Sequence, residues 1–290
     1  MKYEEVVTFV NCILSQYTMP LTIRQIYYRL VADYNYPNRR TAYNQLSKQL
    51  VKARKQGDVD EAKIEDRSRN FLGGDYGFDN SHEFLVNQIA YFLASPKRYS
   101  KRMWTKQPRF VIVWIEKDAL SRIVSKIAER YRVITAPSRG YASYTYIKRA
   151  IETFPIDKEI IVLHFADHDP SGLDMTRDLY ERLNDYSGKE IKVERVALSY
   201  EQVLQYNLAP NPTKSADPRA QTYISKFGNQ CWELDAIEPN ELQRLVEEAI
   251  VKHIDEDLWK ETLEEEKEER EQLRRIFSEI KKKLNEIDST

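Results

Sequence analysis

Apolar positions recur every three or four residues through the first part of the chain and then gather into strand-length runs separated by helical patterns. Val6, Val7, Val10, Ile13 and Leu14 share one face of a helix that stops before Pro20. Thr22 has the chemistry of an N-cap for a second helix running to about Ala32, and Pro37 lies in the turn before a third that begins near Arg40. After Gly57, the stretch "DVDEAKIEDRSRN" suits a small β-wing, so residues 1–72 predict a winged helix-turn-helix domain. Gly73, Gly74 and Gly77 mark a flexible boundary, and residues 73–107 predict a linking helix, with Phe84, Leu85, Ile89, Phe92 and Leu93 on one side, followed by a basic linker. From Phe110 the period changes. "FVIVWI", "RVITA", "IIVLHFA" and "IKVERVAL" read as strands, and Leu120–Tyr131, Tyr144–Phe154 and Leu173–Leu183 as helices. Continuous apolar strands alternating with amphipathic helices predict a Rossmann-like parallel sheet over 108–205, an α/β fold whose ligands bind at the carboxyl ends of the strands. Residues 206–290 are expected to be mainly helical. There Trp259, Leu263, Leu273, Phe277, Ile280, Leu284 and Ile287 follow a 4,3 ladder that Glu266 and Arg270 interrupt. Two readings follow: a coiled coil limited to about the last two heptads, or a surface helix packed on its own domain.

Charge changes this picture more than composition does. The 45 Lys and Arg nearly balance 46 Asp and Glu, so any binding to nucleic acid must rest on segregated charge. Between Asn35 and Gly57 stand Arg39, Arg40, Lys48, Lys52, Arg54 and Lys55, with no acid among them, as contact with the phosphates of duplex DNA requires. A second acid-free tract, between Glu83 and Glu116, holds Lys97, Arg98, Lys101, Arg102, Lys106 and Arg109, interleaved with Tyr99 and Trp104. Its plainer reading is a solvated linker, but beside the first tract it is also expected to contact DNA, through Lys101 and Arg102. Cys12 and Cys231 lack metal-ligand spacing and fit a reducing, cytoplasmic compartment. The apolar runs are too short for a bilayer and the N-terminus lacks a signal-peptide pattern, so a soluble protein without membrane contact is expected.

Two strand ends carry acids: Glu116 after "FVIVWI", and Asp167 and Asp169 in "DHDPSG". Three carboxylates converging on one sheet edge repel one another unless a cation neutralises them, and Mg²⁺ or Mn²⁺ is the expected partner. Asp169 before Pro170 is also good helix-start chemistry, Glu116 also suits a solvated strand end, and Asp167 a loop.

"WIEK" (114–117), "SRGYAS" (138–143) and "ADHDPSG" (166–172) resemble the ordered motifs of the Toprim domain, in the form found in the A subunit of topoisomerase VI and its meiotic double-strand-break relatives. "TIRQIYYRL" (22–30) is similar to that family's motif around a catalytic tyrosine, so the resemblance spans roughly residues 20–175. It implies metal binding by Glu116, Asp167 and Asp169, Mg²⁺-dependent DNA cleavage, and a homodimer in which one subunit's tyrosine works with the other's Toprim site. It also implies a separate ATPase subunit for any strand passage. His168 stands where the family has a small residue, and Ala142 where topoisomerase sequences tend to have proline.

On a helical wheel Ile23, Ile26, Tyr27, Leu30 and Val31 form one apolar face, whereas Tyr28 falls about 140° from Ile23. The wheel therefore predicts a buried Tyr27 and a free Tyr28, with Arg24 one turn before it as its neighbour. Tyr28 as nucleophile and Tyr28 as a residue stacking on or hydrogen-bonding to DNA are both open on the wheel; the resemblance favours the nucleophile. The alternatives are a Toprim nuclease using metal-activated water, a non-catalytic DNA-binding protein, and a phosphatase with Asp167 as nucleophile.

Overall fold

The computed structural model describes residues 1–65, 77–213 and 216–287, with side chains of the last helix as far as Lys282. Gly73, Gly74 and the end of the expected wing lie outside the described residues. Three helices open the chain: α1 (Tyr3–Ser15), α2 (Ile23–Tyr34) and α3 (Arg40–Gln56). Thr22 caps α2 reciprocally: its hydroxyl accepts from the Gln25 backbone N–H at 3.3 Å, and Gln25 Oε1 accepts from the Thr22 N–H at 2.8 Å. Val6, Val10, Ile13 and Leu14 of α1, Ile26 and Leu30 of α2, and Leu46 and Leu50 of α3 are buried at helical spacing. Where a wing was expected, the described residues form a 3₁₀ turn (Glu61–Lys63) and one parallel bridge between Leu21 and Ile64. The segment offers only Val59 and Ile64 as large buried apolar side chains, too few for an alternating strand face.

Next come α4 (Ser81–Leu93) and α5 (Ser95–Arg98). The α/β segment runs β1 (Arg109–Ile115), α6 (Ser121–Ala128), β2 (Ile134–Pro137), α7 (Tyr144–Glu152), β3 (Glu159–Phe165), α8 (Pro170–Ser187) and β4 (Ile191–Ala197). Its four strands are all parallel, in the order β2-β1-β3-β4. Ile112, Trp114, Ile160, Val162 and Ile191 pack with Ile147, Leu179 and Leu183 of the helices. Val113 and Ile115 are buried too, which is why β1 is apolar without alternation. The chain leaves β1 toward one edge and β3 toward the other, so the carboxyl ends of this central pair form a topological switch point, the place where open α/β sheets bind ligands.

After β4 follow α9 (Tyr200–Gln205), β5 (Asn211–Pro212), α10 (Ala220–Phe227), β6 (Gln230–Cys231), α11 (Pro239–Val251) and α12 (Glu256–Ile287). The mainly helical C-terminal region thus also holds a short antiparallel pair, β5 with β6.

The chain forms two compact units, residues 1–69 with 109–253 and residues 70–108 with 254–290. In the second, the Trp104 and Trp259 rings meet edge-on at 5.8 Å and Phe92 lies 4.8 Å from Phe277. Lys101 pairs with Glu269 at 2.6 Å and Glu265 at 3.0 Å, and Lys106 with Glu261 and Glu265, both at 2.6 Å. The first half of α12 is therefore a surface helix packed within its own unit. Of the second basic tract, Lys101 is ion-paired with α12 carboxylates, whereas Arg102 is exposed. Among the described residues no helix is long and apolar enough to cross a membrane.

Candidate active site

At the switch point β1 delivers Glu116 and β3 delivers Asp167. The Glu116 N–H continues the ladder to the Phe165 carbonyl at 2.9 Å, and Glu116 Oε2 accepts from the Asp167 N–H at 3.1 Å. Asp169 caps α8, accepting from the Gly172 N–H at 2.6 Å and from Ser171 Oγ at 3.0 Å, so its helix-start reading is realised. The three acids share one edge, yet each is held by protein donors. Among the described residues no three acidic or imidazole groups stand in ligating geometry as placed.

Four further charged groups complete the site. Lys117 is half-buried and pairs with Asp167 Oδ1 at 3.0 Å, Glu233 Oε2 at 3.0 Å and Asp235 Oδ2 at 2.6 Å. Burial works against its charge, but Asp167, Asp235 and Glu233 outweigh that and hold the ammonium well above its usual range. Arg195 of β4 donates to the carbonyls of Asp167 at 2.6 Å and Ala166 at 3.2 Å; burial lowers it to about 10. Burial pushes Asp167 up to about 7, against the pull of Lys117 and with the push of Glu116. Glu116 is raised as well, first by burial and then by Asp169.

Glu233 and Asp235 were missed by sequence reasoning because "WELDA" carries no motif. They reach the site through a bridge: His168 N donates to the Trp232 carbonyl at 2.8 Å and Trp232 N to the His168 carbonyl at 2.9 Å. This docks the segment beside Asp167, whose Oδ1 accepts from the Leu234 N–H at 2.7 Å. The His168 ring turns away from the acids into Tyr200, Tyr223, Phe227 and Trp232, with Nδ1 2.8 Å from Tyr223 Oη. The ring thus also packs against Trp232, the residue paired with it in the bridge.

Burial lowers the His168 pKa to about 4. The unfolded chain takes up a proton near pH 6.5 while the folded ring stays neutral, so the ring's contribution is complete above 6.5 and fades as pH falls toward 4. The stability difference between the wild type and His168→Gln is expected to shrink by about 3 kcal/mol between pH 7 and pH 4. Urea unfolding at both pH values measures it; a difference independent of pH would show an ordinary imidazole.

Tyr28 is the main correction. It is 3% exposed and Tyr27 5%, so the wheel was right about Tyr27 and wrong about Tyr28. The wheel assumes one buried face, whereas α2 has a second partner in the segment that carries Asn211 and Glu233. Asn211 Nδ2 donates to Tyr28 Oη at 2.7 Å, and Arg24 is paired with Glu233. Burial, then Glu233, raises the Tyr28 pKa, so the hydroxyl is held neutral as placed.

A cleft of about 930 Å³ opens over this edge, lined by Arg24, Tyr43, Ser47 and Arg54 on one side and Glu116, Lys117 and Asp235 on the other. Arg24, Glu116 and Asp235 of one chain therefore line the same space, and Asp167 and Asp169 stand behind Glu116 at the sheet edge. Arg39, Arg40, Lys48, Lys52 and Lys55 of the first basic tract are exposed, and among the described residues none of the six basic groups is ion-paired; Lys52 covers the Tyr3 ring.

No protein-family model matches the chain, and none of the curated proteins matches it.

The residue types at this edge, though not their placement, suit a divalent cation. Glu116, Asp167, Asp169, Glu233 and Asp235 face Arg24, Lys117 and Arg195, five carboxylates against three cations. The two surplus negative charges are costly in a buried site unless protons or a cation offset them. Asp235 Oδ1, on a side chain 2% exposed, has no hydrogen-bond partner among the described residues.

Proposed function

We propose that this chain cleaves duplex DNA by transesterification at a Toprim-type metal site, in the manner of the topoisomerase VI A subunit it resembles. The observation that carries this reading is the cleft in which Arg24 and the basic α3 face a carboxylate edge with surplus negative charge. The exposed basic groups of α3 grip the backbone and set affinity. Arg24, released from Glu233, holds the scissile phosphate while Tyr28 Oη attacks phosphorus. The phosphotyrosine bond forms as the bond to the leaving sugar oxygen breaks, and the tyrosine proton passes by way of a nearby carboxylate to that oxygen, which leaves as a hydroxyl. Glu116, Asp167 and Asp169, with Asp235, would hold Mg²⁺ or Mn²⁺, which would supply positive charge against the phosphate oxygens.

Incubation with supercoiled plasmid and Mg²⁺ or Mn²⁺, resolved with and without detergent and protease, tests the reading. DNA that stays attached to protein until protease is added supports it; intact plasmid with either metal rejects it, once candidate ATPase subunits have been added in turn. A second reading, a nuclease using metal-activated water, is favoured by one observation: the Tyr28 hydroxyl is buried and held by Asn211. Cut DNA with free ends would establish it.

Two kinds of lysine separate affinity from structure. Lys48→Ala with Lys52→Ala is expected to lower DNA affinity and to reduce the slope of log K against log salt by roughly 2. Lys101→Ala, which removes a carboxylate-bound ammonium, is expected to leave affinity within about twofold. Fluorescence anisotropy across salt concentrations measures both; equal losses would return the second tract to the DNA interface.

A further inference from the structure

Helix α4 spans 13 residues, and none of them is buried. Phe84, Leu85, Val86, Ile89, Tyr91 and Phe92 are each 42 to 65% exposed. At on the order of 150–250 Å² for each fully exposed aromatic side chain, somewhat less for aliphatic ones, they leave roughly 500 Å² of apolar surface uncovered. That stands near the top of what monomers expose, ~300–600 Å², and supplies most of the ~800 Å² that each partner buries in a standard interface. A helix this apolar with no buried side chain lacks the packing that stabilises helices in water.

The neighbouring α12 says what covers it. Its charge is segregated along its length: Glu264, Glu268 and Glu271 in the first half, and Arg274, Arg275, Lys281 and Lys282 in the second. The four basic groups are exposed and, among the described residues, carry no ion pair. A helix acidic at one end and basic at the other complements its own copy when the two run antiparallel. The apolar ladder adds to this, because Ile276 is 52% exposed beside the half-buried Leu273 and Phe277.

We propose that α4 and the exposed face of α12 form a self-association surface whose occupant is the same surface of a second copy, packed as an antiparallel helix bundle about a two-fold axis. The isologous geometry brings each basic half of α12 onto the partner's acidic half while the α4 faces close on each other. This rests on the second unit alone and is independent of the proposed cleavage reaction.

Sedimentation equilibrium of the full chain is expected to give twice the chain mass at micromolar concentration. Leu85→Glu with Ile89→Glu should raise the dissociation constant at least tenfold and leave the circular dichroism unchanged, since both side chains are exposed. Arg274→Glu with Arg275→Glu should weaken the dimer, and adding Glu268→Arg with Glu271→Arg in the same chain should restore it. A monomer at a hundred micromolar overturns the proposal, as does a dimer indifferent to the α4 substitutions. Loss of DNA binding from a monomeric Arg274→Glu, Arg275→Glu chain would assign the basic end to nucleic acid instead.

Discussion

Tyr28→Phe is expected to abolish protein-linked DNA, a loss of about a thousandfold or more, while Tyr27→Phe keeps it. The two residues are adjacent, aromatic and similarly buried, so each serves as the other's control for packing. Tyr28→Phe removes an acceptor from Asn211 Nδ2, and Tyr27→Phe removes a hydroxyl 3.2 Å from the Pro37 carbonyl and 3.1 Å from Asn38 Oδ1. Each loss costs about 1 kcal/mol. Of the two hydroxyls, Tyr28's accepts from Asn211 whereas Tyr27's is turned to Pro37 and Asn38, so the proposed reading assigns to Tyr28 the phosphate that displaces Glu233 from Arg24. Plasmid cleavage resolved in detergent, with protein attached to cut ends quantified before and after protease, compares the two variants. Protein-linked ends persisting in Tyr28→Phe would remove it as nucleophile, and free ends from both variants would point to metal-activated water.

Gly172→Ala is expected to be the most damaging single methyl in the site. A Cβ at this position overlaps the Asp167 carbonyl oxygen and comes within 3.0 Å of its carbon and 3.2 Å of Asp169 Oδ1. The obstacle is backbone, and Arg195 fixes it by donating to the same carbonyl at 2.6 Å. Relief requires α8 to lift away from the end of β3, which breaks the 2.6 Å hydrogen bond from Gly172 N–H to Asp169. Overpacking of this kind costs about 3 kcal/mol. In a chain of this size that is a fall of roughly 6–12 °C in the unfolding midpoint. Calorimetry measures the fall. Because both acids move, cleavage should be lost even at temperatures where the variant remains folded; a shift below about 1 °C would mean that α8 yields freely.

The sequence by itself determined the parallel sheet and its acid-bearing ends. Strands buried on both faces are apolar almost throughout, so β1 and β3 announce themselves, and the first acids beyond their apolar runs, Glu116 and Asp167, mark the carboxyl edge. Thr22, Asp169 and Pro170 fixed helix starts because capping is local chemistry. What depends on a second segment was not legible. The Tyr28 environment comes from residues near 211 and 233, far along the chain, and no wheel drawn on α2 alone contains them. Lys101 looked free because its carboxylate partners lie more than 160 residues later. Glu233 and Asp235 became part of the site only when Trp232 paired with His168 and brought "WELDA" beside Asp167. Periodicity and capping act over one to four residues and are written into adjacent positions, whereas the neutralisation of buried charge depends on which distant segments the fold brings together.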